Sequence, residues 1–170
     1  MADLKRLTEV FREAGAPEPE NWARSEVEEG IPQLARYLFL RGAWKAVLTE
    51  DDVRWIDAYR KSSSDPDAPL AGVGPALDRL LGRGIDPRDL TDVVRAMQYE
   101  VLFAICYLMD ESFPATGDLE DPSPELTSVG WGLFETDEEE RPLRRIGGLH
   151  ESALGMDPTG REMRPRGRTP

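Results

Sequence analysis

The stretch DVVRAMQYEVLFAICYLMDE, residues 92–111, carries the strongest helical pattern in this 170-residue chain. Asp86 and Pro87 precede it as an N-cap and first-turn pair, and Thr91 offers a second cap, so the spacing predicts a helix over about 87–110. Its later turns are apolar on every side, the pattern of a helix enclosed by others rather than lying on a surface. The expected fold is therefore mainly α: a single-domain helical bundle around this central apolar helix. The apolar run inside it, VLFAICYLM at 101–109, is about half the length that crosses a bilayer.

Working back toward the N-terminus, Leu4, Leu7, Val10, Phe11 and Ala14 recur at three-to-four-residue spacing before Gly15, which predicts an amphipathic helix over 2–14. The segment APEPE then forces a turn. Asn21 suits a helix cap, and Gly30 and Pro32 split the following apolar stretch, with Pro32 in the first turn of a helix reaching Leu48. Thr49, followed by Glu50, Asp51 and Asp52, reads as the cap of a helix over about 50–61, and KSSSDPDAPLAGVG ends it with a long connector. A short helix at 75–83 closes on Gly84.

Beyond Ser112 the period changes. FPATGDLEDPSPEL has three prolines and no helical repeat, so it reads as an irregular crossing segment. Two short segments, VGWGLFET and RPLRRI, flank the acidic tetrapeptide DEEE and predict a small C-terminal β-hairpin over about 129–146, with Pro142 confining the second strand to an edge. Gly147 and Gly148 end it, as a strand-to-helix corner or as paired amides able to cradle an anion, and Leu149–Leu154 can make a turn or two of helix. The expected organisation is one globular domain at 1–154 and a Pro/Gly/Arg-rich tail at 155–170, irregular and basic, with Arg161, Arg164, Arg166 and Arg168 against Asp157 and Glu162.

Composition excludes more than it selects. One cysteine, Cys106, cannot form an internal disulfide, and with one histidine there is no Cys/His cluster of zinc spacing. A charged, amphipathic N-terminus is unlike a secretory signal, so the expected location is the cytoplasm. The net charge of −12 repels phosphate backbones and anionic lipid, so neither nucleic acid nor membrane is an expected partner. The same field can attract a basic protein partner or only maintain solubility.

The residues left for chemistry concentrate near the C-terminus. His150 beside Glu151, with Arg144 and Arg145 shortly before them, could form an acid/base centre, and Trp131 between Gly130 and Gly132 could fill a corner or anchor a partner. Glu100 opens the apolar stretch of the predicted central helix, where a carboxylate needs a cation such as Arg36, Arg41 or Lys45. The acidic runs at 118–121 and 137–140 match no calcium loop, and no metal or cofactor is expected. The expected function is a non-catalytic acidic protein-binding module, such as an immunity or regulatory inhibitor protein, with Trp131, Arg144, Arg145, His150 and Glu151 as binding residues. The alternative is a small-molecule enzyme or ligand-binding domain with a pocket between the central helix and the hairpin, using His150, Glu151 and Glu100.

Overall fold

A computed structural model describes residues 2–62, 65–111 and 119–165. The described chain is mainly helical with a two-stranded antiparallel hairpin near its C-terminus, as the sequence predicts. Its elements are α1 (Ala2–Glu13), α2 (Pro19–Glu29), α3 (Gln33–Ala43), α4 (Arg54–Ser62), α5 (Val73–Leu81), α6 (Pro87–Asp110), the single turn α7 (Pro124–Thr127), β1 (Leu133–Thr136), β2 (Pro142–Ile146) and α8 (Leu149–Ala153). They form two compact units, one from the residues up to Lys45 together with those from Leu102 onward, the other Ala46–Val101.

In the first unit, α1 ends at Gly15, whose φ of 79° is readily available to glycine and lets the backbone close two reverse bonds, Gly15 N–H to Arg12 O and Ala16 N–H to Phe11 O. This turn sends α2 back along α1. Phe11, fully buried, stacks on Trp22 and meets the edge of Tyr37, with Leu4, Leu7, Leu34 and Met156 packed around the cluster. α2 starts at Pro19 rather than Asn21; the Asn21 side chain donates instead to Glu18. Glu26 then holds the entry of α3, accepting the Leu34 N–H at 2.7 Å. α3 gives way to a 3₁₀ turn at Trp44–Ala46, short of the expected Leu48, and Trp44 donates its indole N–H to Ala153 O at 2.8 Å.

The hairpin pairs Leu133 with Ile146, Phe134 with Arg145 and Thr136 with Pro142, with an irregularity between the last two pairs. Pro142 opens its strand, where a missing N–H costs least. At the tip, Asp137 accepts the Glu139 and Arg141 N–H groups and pairs with Arg141, which also reaches Glu139. The described part of the tail folds on itself: Asp157, 4% exposed, accepts from Thr159 and from the Met163 N–H. Arg166 and Arg168 lie outside the described residues.

In the second unit, α4 packs on α5 around Ile56 and Leu77. α4 begins four residues later than expected, because Asp52 rather than Thr49 accepts the exposed Arg54 N–H. Asp86 caps α6 through the Arg88 N–H, as its sequence position implies, while Thr91 lies inside the helix, accepting from Trp55 Nε1 and donating to Pro87 O. Arg95, 4% exposed, reaches Leu48 O and Glu50, and Gln98 accepts the Leu48 N–H.

Helix α6 forms at the expected bounds, but the expectation that other elements enclose it is overturned. Thr91, Arg95 and Cys106 are buried, whereas Val93, Met97, Val101, Ile105 and Leu108 are 44–60% exposed. Buried positions 91, 95 and 106, with half-buried Leu102, fall on one side of a 3.6-residue repeat, so the described residues bury α6 most fully along that stripe. An all-round apolar helix is compatible with burial by its own chain or by another, and periodicity alone does not distinguish them.

Candidate functional site

The C-terminal turn of α6 gathers three residues singled out in the sequence, Trp131, Arg145 and His150, though not as an open pocket. Trp131 donates its indole N–H to Leu108 O, and Arg145 donates to Asp110 O at 2.6 Å. Both satisfy carbonyls that a helix end leaves without partners, and the arginine adds positive charge at the negative end of the helix dipole. His150 is fixed twice by one carboxylate: its N–H donates to Asp110 Oδ2 at 2.8 Å and its ring Nδ1 contacts the same oxygen. Phe103 and Tyr107 meet the imidazole edge-on, with centroids 6.0 and 5.2 Å away. Arg144, instead, points to Glu26 and Glu135 at the foot of the hairpin, and these carboxylates raise its pKa through hydrogen bonding.

Asp110, whose side chain is 5% exposed, is the centre of this knot, and its position in the sequence gave no hint of that. Arg36 approaches from α3. A Cβ on Gly148, at φ 67°, would stand 2.7 Å from Arg36 Nη2, so Gly147–Gly148 forms the tight strand-to-helix corner that the glycine pair allows. Burial lowers the Arg36 pKa, opposed by the nearby charges of Asp110, Glu151 and Glu29. Arg36 Nε and Asp110 Oδ1 are buried without hydrogen-bond partners among the described residues.

Chemically the knot is oriented but closed. The Asp110 carboxylate fixes His150, Glu151 is exposed, and Cys106 is fully buried with its thiol pushed up to about 11 by burial and then by Asp110. Glu100 lies in the other unit and is exposed rather than buried, so it needs none of the cations suggested for it. A shallow groove of about 200 Å³ lies against Asp3, Arg6, Leu7, Val10 and Val27, and none of Glu100, Trp131, Arg144, Arg145, His150 and Glu151 lines it. The tip carboxylates Asp137 and Glu139 are engaged by Arg141.

A second feature is larger and was missed by reading α6 as core. Leu90, Val94, Met97, Val101, Ala104 and Leu108 fall at alternating four- and three-residue steps, the spacing of a helix–helix seam. Met97, Val101 and Leu108 are 57%, 60% and 47% exposed. Beside this apolar surface the exposed charges are Asp89 and Glu100, with Glu111 immediately after the helix, while Asp92 projects farther round it. The helix has only two cations: Arg88 reaches Asp51, and Arg95 is buried against Glu50. Heptad spacing was legible in the residues; its exposure was not.

Comparison with protein-family models, curated proteins and solved structures finds no match to this chain.

Proposed function

We propose that this protein is a non-catalytic protein-binding module that meets a basic protein partner through the outer face of α6. The observation that carries the reading is the inverted pattern of this one helix: Thr91, Arg95 and Cys106 are buried while Met97, Val101, Ile105 and Leu108 face water, flanked by carboxylates. Exposed apolar residues at seam spacing are costly in isolation and suit a docking surface. Carboxylates beside them speed and select a cationic partner. Trp131, 36% exposed with its indole N–H on Leu108 O, adds apolar surface at the C-terminal end. Arg145 holds the C-terminal end of α6 through Asp110 O, while Arg144 ties the hairpin to Glu26.

A catalytic reading of His150 and Glu151 needs both groups turned toward one substrate. Asp110 instead holds the histidine, and no specific observation favours that alternative. The regulatory or immunity role is the form of binding module that best suits a chain of this charge. The test is affinity capture from the native cell at low and high salt, with the wild type and with Met97→Glu/Val101→Glu. A partner retained by the wild type at low salt and lost by the variant supports the reading. Capture indifferent to both salt and the variant removes it.

A further inference from the structure

We infer that the partner element docking on α6 is itself an amphipathic α-helix, apolar along its seam and carrying Lys or Arg along one edge. This inference rests on the proposed protein-binding reading and specifies its partner. The argument begins with spacing. Apolar residues at 90, 94, 97, 101, 104 and 108 form pairs that recur every seven residues, which matches the side-chain rows of a facing helix. An extended segment has no such match, because a helix offers no free row of backbone donors and acceptors to a strand. Ala104 leaves a notch between Val101 and Leu108 where a partner side chain can seat. From Leu90 to Leu108 the seam runs roughly 27 Å, at about 1.5 Å per residue.

Charge decides the occupant. Asp89, Glu100 and Glu111 lie along one flank of the seam on a helical projection, Asp92 lies farther round the exposed side, and the opposite flank carries Gln98 and Ile105. A basic edge on the partner therefore faces one side only. A second copy of this chain is a poor occupant, because each copy carries a net charge of −12 and antiparallel pairing about residue 100 brings Glu100 against its own counterpart.

The experiment uses the full chain and three synthetic probes of about four heptads. One is a helix with leucine at the seam and lysine on the flanks; one has glutamate on the flanks; the third is the lysine peptide interrupted by two prolines. Fluorescence anisotropy measures binding to the wild type and to Met97→Lys/Val101→Lys, with circular dichroism confirming that the variant remains folded. The expected result is binding of the lysine helix alone, weakened at least about tenfold by the double substitution. Equal binding of the proline-interrupted lysine peptide overturns the helical inference and leaves a basic partner standing. Equal binding of the lysine helix to wild type and variant, or of the glutamate helix, removes the underlying reading of the face. Sedimentation showing a dimer that the double substitution dissociates also overturns the inference, with a second copy as occupant.

Discussion

Replacing Val101 with lysine distinguishes a bare helix face from a buried one. Val101 is 60% exposed, so only the remaining two-fifths of its surface is removed from water by folding. Complete burial of a valine is worth about 1.5–3 kcal/mol, which puts its present contribution near about 0.6–1.2 kcal/mol. Lysine keeps part of that contact along its aliphatic stem, and its better helix propensity returns a few tenths of a kcal/mol. The expected cost is therefore below about 1 kcal/mol, with helical content unchanged. Inside an enclosed core the same change would strand an ammonium group away from water, at a cost above about 3 kcal/mol. Urea unfolding followed by circular dichroism measures the difference. Destabilisation above about 3 kcal/mol, or a variant that fails to fold, refutes the exposed-face assignment.

Phe11→Ala removes the ring shared by Trp22 and Tyr37 at a fully buried position, so it should cost about 3–5 kcal/mol in the same unfolding assay. Gly148→Ala places a Cβ at φ 67° and 2.7 Å from Arg36 Nη2; a loss of about 1–3 kcal/mol is expected, whereas an unchanged midpoint contradicts the corner. Cys106 should resist thiol reagents at pH 8 in the native protein and react once urea unfolds it, since burial raises its pKa from 9.0 to about 11. The folded state holds this proton to higher pH than the unfolded chain, so the stability contribution of Cys106 is intact below about pH 9 and is lost as pH rises through about 11; Cys106→Ala should flatten that alkaline decline.

Local chemistry was legible where one or two residues decide it. Gly15 closes α1, Asp86 and Pro87 open α6, and Pro142 begins rather than interrupts its strand. Choices among neighbouring caps were harder: Asp52, three residues after Thr49, has the carboxylate that accepts the Arg54 N–H. Tertiary partners left no local trace, as with Arg144 and Glu26, which are 118 residues apart, and with Asp110, whose role depends on His150 folding back onto it. The largest misreading concerned α6. Its apolar residues outnumber what one buried stripe needs, and periodicity alone does not tell that surplus on an exposed face from an interior one.

Hydroxyl-radical footprinting of Met97 tests the exposed-face assignment most directly. Met97 is 57% exposed on the seam, whereas Met109 and Met156 are partly buried, so the three thioethers provide an internal comparison in one sample. In the free protein Met97 should oxidise faster than Met109 or Met156, and adding the lysine-flanked helix should shield Met97 selectively. Slow oxidation of Met97 in the free protein, or no shielding of it in a complex that demonstrably forms, would contradict the account.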